Sequence, residues 1–375
     1  MWIHQHRDWP NFAWAAEKVA PRLIDLRYRQ GRLLGRMESL GFDLNREALL
    51  NTLTNDVIKS SAIEGENLNP DEVRSSIARR LGINIAGLIP ASRNVEGVVQ
   101  MMLDATQSFT KPLTKKRLFD WHAALFPTGR SGMHSIVVGD WRNDDNGPMQ
   151  VVSGPIGHEM IHFEAPSSDR LNNEMTKFIS WFEKQNNIDP VLKAGIAHFW
   201  FVTIHPFEDG NGRIARAIAD MALARADNTS YRFYSLSLQF EYERADYYNQ
   251  LKRQQCSTPE ITDWLEWFLD CLGRAVSNAE DKLSKIMFKS QLWNKINQNS
   301  VNERQRRIIN CMLEDDFKGY MNTSKYAKLA KCSTDTALRD IQDLKSRVIF
   351  IQNSAKGRST SYRLPESFLK DIRHE

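Results

Sequence analysis

Two predicted helices are joined by the segment His205-Pro206-Phe207-Glu208-Asp209-Gly210-Asn211-Gly212-Arg213-Ile214-Ala215-Arg216. Histidine can accept a proton near neutral pH, and a carboxylate can hold a divalent metal ion. Glycines let backbone N–H groups approach an anion, and the start of the following helix adds its positive end. Arginines bind phosphate oxygens through a forked guanidinium. All of these residue types within one short segment favour a site for nucleotide phosphates.

Two other phosphate motifs are absent from the sequence. There is no GxxxxGK[ST] P-loop, and the kinase pair of HRD and DFG is incomplete because no DFG occurs. In the alternative interpretation, the histidine is a structural residue whose hydrogen bonds are satisfied within the fold, and the charged residues after it lie on the surface. That alternative would suffice for any two of these residues, but not for all of them together.

Composition is typical of a water-soluble globular protein. The 375 residues are 41% hydrophobic and 26% charged, with a net charge of +4, and the length suits two or three domains. Residues 301–375 hold 15 Lys/Arg and 10 Asp/Glu, which gives +5; residues 1–300 hold 35 and 36, which gives −1. The basic excess therefore lies in the last part of the chain.

The sequence also bears on cellular location. The cysteines form no CxxC pair and do not cluster with histidines, which favours reduced thiols; they are Cys256, Cys271, Cys311 and Cys332. We find no apolar signal-peptide core at the N-terminus and no apolar run long enough to span a membrane. We therefore expect a cytoplasmic protein.

A helix predicted over residues 47–65 ends in a carboxylate. Its buried face follows helical spacing through Leu50, Leu53, Val57, Ser60 and Glu64. A carboxylate on such a stripe, at a helix C-terminus, is costly unless a cation pairs with it. Two interpretations remain open here: Glu64 has a cationic partner elsewhere in the fold, or the helix turns and leaves Glu64 in water. Gly65 is suited to end the helix.

The residue pattern of most of the remaining chain predicts helices. Helical patterns cover residues 94–108, 114–125, 171–185, 190–205, 212–226, 240–255 and 260–286. Between residues 126 and 166 the chain is rich in Gly, Pro, Asp and Asn, and short extended runs at 149–153 and 159–163 flank Gly154-Pro155-Ile156-Gly157. This pattern predicts a β-hairpin that leans on helices. The hairpin is either a plain connection or an edge that binds a partner strand.

The C-terminal part has the pattern of a winged helix-turn-helix. A polar linker at 294–303 precedes helices predicted at 303–313, 323–330 and 333–345. Extended runs at 348–351 and 360–364 flank a basic turn with Lys356 and Arg358. We predict a mostly α protein with three parts: residues 1–110, 111–293 and 300–375.

At this point the sequence resembles a known family. The segment from His205 to Arg216 fits HxFx[DE]GNGRxxR, the signature of Fic-domain proteins, at every specified position. Ser60-Ser61-Ala62-Ile63-Glu64-Gly65 matches [ST]xxxE[GN], the motif of the family's inhibitory helix. The hairpin takes the place of the family's target-binding flap, and a C-terminal winged helix recurs in bacterial members. The resemblance covers nearly the whole chain.

The resemblance implies transfer of AMP from ATP to a hydroxyl group of a protein, with release of pyrophosphate. By position, His205 would be the general base and Asp209 would hold Mg²⁺. The ATP phosphates would be bound by the remaining motif residues Gly210, Asn211, Gly212, Arg213 and Arg216. Glu64, with Ser60 and Gly65 in the inhibitory motif, would pair with Arg216 and block the γ-phosphate. Tyr248 would stack on adenine; alternatively Tyr247 and Tyr248 are both core residues.

Other functions remain open. Glu64 could position a water for the reverse reaction, de-AMPylation. The chain could instead be a DNA-binding regulator with a nucleotide-sensing core, tested at Arg339, Lys345, Lys356 and Arg358. The expected partners are ATP, a target with a Ser, Thr or Tyr hydroxyl (the protein itself included), and a second copy in a homodimer; DNA or a protein could bind the winged helix.

Overall fold

The structure is a computed structural model. It is mostly helical, as the sequence predicts. It describes residues 1–38, 42–145, 147–153, 160–185, 187–297, 301–313, 317, 319–353 and 360–365. The helices are α1 Ala16–Glu38, α2 Phe42–Ile63, α3 Pro70–Leu81, α4 Arg93–Gln107, α5 Lys115–Leu125, α6 Leu171–Glu183, α7 Pro190–Ile204, α8 Asn211–Asp227, α9 Leu236–Tyr242, α10 Arg244–Gln255, α11 Thr262–Asn297, α12 Glu303–Met312, α13 Thr323–Ala330 and α14 Thr334–Ser346. The strands are β1 Arg130–Ser131, β2 His134–Ser135, β3 Gln150–Ser153, β4 Met160–Glu164, β5 Ile351–Gln352 and β6 Tyr362–Arg363.

The chain divides into two compact units, residues 1–279 and residues 280–375. The three predicted parts, 1–110, 111–293 and 300–375, stay predictions of how the chain is organised. In the described ranges, no helix combines the length and the apolar character that a membrane span requires.

Helices α7 and α8 form the centre of the first unit. Pro190 begins α7, Asp189 caps it, and nearly every side chain from Val191 to Ile204 is buried, so the helix is apolar on all sides. Helix α8 packs against α7 and is rich in alanine, which lets the two backbones approach closely. The segment that joins them is therefore held between two buried helices.

Helix α2 packs against α9 and α3. Leu50, Leu53, Val57 and Ser60 are buried, which confirms the predicted stripe. The helix ends at Ile63, one residue before the carboxylate, and Gly65 takes a left-handed conformation with φ of +83°. Only glycine adopts this conformation without steric cost.

Three predicted boundaries differ from the structure. Helix α2 starts at Phe42, not at residue 47. The helix predicted over 240–255 is two helices that meet at Glu243, whose carboxylate is bound by Arg274 and Gln239. Helix α11 continues to Asn297 because no glycine or proline interrupts residues 274–297. Residues 294–297 of the predicted linker are thus helical, and residues 298–300 lie outside the described residues.

The predicted hairpin is present as β3 and β4, which pair antiparallel with a bulge between Val151 and Val152. Residues 154–159, including the predicted turn, lie outside the described residues. The hairpin packs against the N-terminal segment, where Trp2 and His4 both contact the ring of Phe163. Nε2 of His4 also donates to the carbonyl of Glu164 at 2.8 Å. Strands β1 and β2 form a second small hairpin that the sequence analysis did not predict.

The second unit contains α12, α13 and α14 in the predicted order, followed by the antiparallel pair β5–β6. The extended run predicted over 348–351 is wrong for its first three residues, because the chain turns there with φ of 58° at Val348 and β5 begins only at Ile351. Ser333 caps α14 through the N–H of Thr336, and Asp340 ties Arg304, Asn302 and Tyr326 together. Lys356 and Arg358, predicted on the basic turn, lie outside the described residues. The assignment of a winged helix-turn-helix stays a prediction.

Candidate active site

His205 lies where α7 ends, and its ring is set up to accept a proton. Its backbone is left-handed, with φ of 52°, which turns the chain sharply into the loop. Nδ1 donates to the carbonyl of Val202 at 3.2 Å, so in the neutral ring the lone pair is on Nε2. Burial lowers the pKa of His205 to about 4, because its effect, with a smaller contribution from the charge of Arg142, outweighs the hydrogen bond to Val202. The imidazole is therefore neutral at physiological pH.

Two side chains that the sequence analysis missed hold the loop after His205. Arg142 donates to the carbonyls of His205 and Pro166 and to the carboxylate of Asp144, and its side chain is wholly buried. His122 stacks on Phe207, accepts from the N–H of Gly139 and donates to the carbonyl of Asp209. These partners lie tens of residues apart, so no local pattern marks them.

Replacing Arg142 by alanine is expected to lower the free energy of unfolding by about 3 kcal/mol, because Asp144 and two carbonyls lose their partner. Urea denaturation measures this loss. Arg80, an exposed arginine on α3, provides the control, since Arg80→Ala should cost under about 1 kcal/mol. An equal loss in both variants would contradict the buttressing role of Arg142.

The Gly-Asn-Gly turn forms an anion-binding cradle at the start of α8. Asn211 closes the loop on itself, because its side chain accepts from the N–H of Phe207 and donates to the carbonyl of Phe207. Gly210 has φ of +80°, and a Cβ there would press on the ring of Phe126. The first backbone hydrogen bond of α8 comes from Ile214, so the preceding N–H groups are available to an anion.

The carboxylate of Glu64 occupies this cradle. A Cβ on Gly212 would collide with Oε1 of Glu64, so the oxygen lies directly over the start of α8. Nη2 of Arg216 donates to the same oxygen at 2.8 Å. Of the two interpretations left open for Glu64, the structure therefore selects a cationic partner elsewhere in the fold.

Arg216 is buried among polar partners from α2. Its Nε donates to Oγ of Ser60 at 2.9 Å and its Nη2 to the carbonyl of Ser60 at 2.7 Å. Burial alone would lower the pKa of Arg216, but the carboxylate of Glu64 outweighs it and the pKa is raised. Nη1 of Arg216 is buried and has no hydrogen-bond partner within the described part of the chain.

Arg213 is held by a second carboxylate that the sequence analysis did not single out. Its Nη1 donates to Oε2 of Glu66 at 2.7 Å, and its guanidinium lies over the ring of Phe126. Oε1 of Glu66 accepts from Nδ2 of Asn94 at 2.6 Å, so Glu66 is fixed from α4 as well.

Asp209 faces a cavity of about 530 Å³ beside the loop. One carboxylate oxygen accepts from the hydroxyl of Ser131 on β1, and the other from the N–H of Gly210 at 2.5 Å. Across the described ranges, no group of three or more His, Cys, Asp or Glu could form a metal site. A lone, partly exposed carboxylate still fits Mg²⁺, which is commonly bound by one or two carboxylates together with nucleotide phosphates.

The two tyrosines differ in their surroundings. Tyr247 is buried, and its hydroxyl lies 2.9 Å from Nε2 of His198. Tyr248 is partly exposed, and its hydroxyl donates to the carbonyl of Ile63 at 3.3 Å and to Oε2 of Glu64 at 3.4 Å. Tyr247 is thus a core residue, whereas Tyr248 borders the site; its contact with adenine stays a prediction.

Comparisons with known proteins agree with this geometry. Residues 2–83 match the model of a domain of unknown function (DUF4172), and residues 112–223 match the model of the Fic/DOC family. The first range contains Glu64 and Glu66, and the second contains His205, Arg213 and Arg216. The carboxylates and the arginines that bind them thus come from two different matched regions.

Curated relatives include protein adenylyltransferases. The chain is 30% identical over 121 residues to protein adenylyltransferase fic-1 of Caenorhabditis elegans, covering 32% of this chain and 22% of that protein. It is 26% identical over 224 residues to protein adenylyltransferase Fic of Drosophila mojavensis, covering 59% and 40%. The chain thus spans less than half the length of these relatives.

Solved structures show the same fold. A Fic family protein from Desulfovibrio desulfuricans G20 aligns with a TM-score of 0.52 at 20% identity, covering 92% of this chain and 96% of that one. Fic-1 (residues 134–508) from C. elegans aligns with a TM-score of 0.50 at 20% identity, covering 72% and 74%. These structures share the fold of this chain, and residues 112–223 are the part that matches the Fic/DOC family model.

Proposed function

We propose that this protein transfers AMP from ATP to a Ser, Thr or Tyr hydroxyl of a protein and releases pyrophosphate. The observation that carries the proposal is the arrangement around the start of α8. His205 is neutral and lies before the cradle, at the end of α7. The buried guanidiniums of Arg213 and Arg216 belong to the first turns of α8. The curated relatives named protein adenylyltransferases support the same chemistry.

In the proposed reaction, each step is assigned to particular residues of the site. The target hydroxyl attacks the α-phosphorus, and Nε2 of His205 takes its proton. The bond from the α-phosphorus to the bridging oxygen breaks, and the electron pair leaves with pyrophosphate. The N–H groups of Asn211 and Gly212 and the guanidiniums of Arg213 and Arg216 stabilise the negative charge that grows on the phosphate oxygens. Mg²⁺, held by Asp209, would add charge stabilisation when bound.

The enzyme is autoinhibited in this proposal. Glu64 is bonded to Arg216 and covers Gly212, where phosphate oxygens would bind. One guanidinium edge cannot serve a carboxylate and a phosphate at the same time. Helix α2 therefore keeps the site from productive ATP binding until the segment after Ile63 moves.

The β3–β4 hairpin is the proposed contact for the target protein. Val151, Val152, Met160 and Ile161 are exposed on its two strands, an unusual number of apolar side chains for a short solvent-facing hairpin. A two-stranded hairpin has free edges that an extended segment of a target can join by backbone hydrogen bonds. Such pairing would bring a hydroxyl to His205 without sequence-specific contacts.

The reaction type is tested with ATP labelled at either end. The Glu64→Gly variant, incubated with Mg²⁺ and a cell lysate, should label protein from ATP carrying the isotope on the α-phosphate. ATP labelled on the γ-phosphate should add no label above that of the lysate alone, since that label departs in pyrophosphate. Added labelling from the γ-position would instead indicate phosphorylation by this protein, and added labelling from neither position would contradict the transferase proposal.

The pH dependence of the activated variant follows from the neutral state of His205. A base is lost when it is protonated, so the rate should fall only as the pH drops toward the pKa of about 4. At pH 5.5 such a base is almost wholly neutral, whereas a histidine with the ordinary pKa of about 6.5 would be roughly nine-tenths protonated. Initial rates at pH 5.5 and 7.5 should therefore be similar. A rate at pH 5.5 near one tenth of that at pH 7.5 would contradict this state of His205.

De-AMPylation is the second candidate, and the position of Glu64 favours it. The carboxylate lies over the cradle and is only partly buried, so it could orient a water toward an AMP-modified side chain. Wild-type protein incubated with an AMP-modified target would then release AMP, and Glu64→Gln would not. AMP release by neither protein excludes this role.

DNA binding by the second unit is a separate proposal. Arg339 and Lys345 are exposed along α14, the helix that would read a major groove in a winged helix. Binding of duplex DNA should weaken steeply with salt and be reduced in Arg339→Ala and Lys345→Ala. Binding that these substitutions leave unchanged would place any DNA contact elsewhere.

A further inference from the structure

Both arginines of the cradle are neutralised by carboxylates from one short turn. Oε1 of Glu64 accepts from Arg216 at 2.8 Å, and Oε2 of Glu66 accepts from Arg213 at 2.7 Å. The Arg213 side chain is 5% exposed and that of Arg216 is 1% exposed, so each pair is shielded from water on the arginine side. The resemblance accounts for the first pair but assigns nothing to the second.

We propose that Glu66 is a second inhibitory carboxylate, which withholds Arg213 from the nucleotide phosphates as Glu64 withholds Arg216. The proposal rests on the adenylyltransferase function, because it assumes that Arg213 binds phosphate. Glu66 is a positioning residue that acts through Arg213. The inhibitory element is then the whole turn from Glu64 to Glu66.

The charges around the cradle support this role. Arg213 and Arg216 supply two positive charges, and Glu64, Glu66 and Asp209 supply three negative charges. ATP with one Mg²⁺ still carries two negative charges, so each carboxylate that remains beside these arginines weakens its attraction to the cradle. Among these five groups, removing Glu64 alone leaves no net charge, and removing both glutamates leaves one positive charge. Glu66 should therefore still restrain the enzyme after Glu64 has gone.

The geometry also explains how one movement could release both pairs. Gly65, with φ of +83°, separates the two glutamates and turns both side chains toward α8. Glu66 is anchored on its far side by Nδ2 of Asn94, at the start of α4. A shift of the turn toward α4 would withdraw both carboxylates together, so Asn94 sets how firmly the second one is held.

Calorimetric binding of an ATP analogue that cannot be cleaved between the α- and β-phosphates, with Mg²⁺ present, tests the proposal. In the Glu64→Gly background, Glu66→Gln keeps the shape and the Asn94 contact but removes the charge, and should tighten ATP binding about three- to tenfold. Asn94→Ala in the same background should tighten it less. Glu96→Gln is the matched control, because the side chain of Glu96 is also 33% exposed but pairs with Arg79 and Arg80; it should leave ATP affinity unchanged.

Two results would overturn the proposal. Unchanged affinity in Glu66→Gln would mean that the pair with Arg213 does not compete with phosphate. Weaker binding would mean that Glu66 holds Arg213 in place for ATP. Because binding is measured without transfer, tighter ATP binding without protein labelling would support this role of Glu66 while contradicting the proposed transferase function.

Discussion

Replacing Glu64 by glycine should raise the rate of AMP transfer by about ten- to a hundredfold. The carboxylate lies over the start of α8 and holds Nη2 of Arg216 at 2.8 Å, so ATP must displace it before the reaction. The Arg216 side chain is 1% exposed and that of Glu64 is 29% exposed, which makes this ion pair stronger than one on the open surface. A barrier lowered by about 1.4 to 2.8 kcal/mol corresponds to the stated range.

The measurement is the initial rate of label incorporation from α-labelled ATP at saturating Mg²⁺. Glu64→Gln separates charge from shape, since it keeps the side-chain volume and should activate less than glycine. Arg216 stays fixed by Ser60 in both variants, so the phosphate site should remain formed. Equal rates in wild type and Glu64→Gly would contradict autoinhibition by this residue.

Removing the base from the activated enzyme should have the opposite and larger effect. In the Glu64→Gly background, His205→Ala is expected to reduce the rate by about a hundred- to ten-thousandfold, the usual contribution of a general base. His205→Asn is the better-matched variant, because asparagine tolerates the left-handed backbone that His205 adopts, with φ of 52°. Asparagine keeps a polar side chain at position 205 but cannot accept the proton of the target hydroxyl.

ATP affinity provides the control for this second prediction. His205 is not among the cradle residues that bind phosphate, so calorimetry should give similar ATP affinities with histidine and with asparagine at position 205. A fall in rate with unchanged affinity would identify a chemical role. If the rate in His205→Asn stays within a few fold of the parent, another group accepts the proton.

The local features of the site were predictable from the sequence. The turn, the buried stripe of α2 and the start of α8 depend on short-range patterns: glycine where φ is positive and apolar residues at helical spacing. The pairing of Glu64 with Arg216 was implied by two motifs of a known family. Geometry now adds that the same carboxylate also covers Gly212.

Long-range contacts outside these two motifs were not predictable. Arg142, His122 and Glu66 each act on the motif from 63 to 147 positions away along the chain, and nothing in their local sequence marks them. The helix predicted over 240–255 failed for a similar reason, because Arg274 on α11 binds the carboxylate of Glu243 where the helix breaks. Helical periodicity continues through this break and so does not reveal it.

The central claim is that Arg216 serves either Glu64 or the ATP phosphates. It is tested most directly by a crystal structure of Glu64→Gly with Mg²⁺ and a non-hydrolysable ATP analogue. The account predicts a phosphate oxygen over Gly212, within about 3 Å of a guanidinium nitrogen of Arg216, where the carboxylate of Glu64 now lies. Phosphates bound away from the start of α8, with Arg216 bonded only to Ser60, would contradict it.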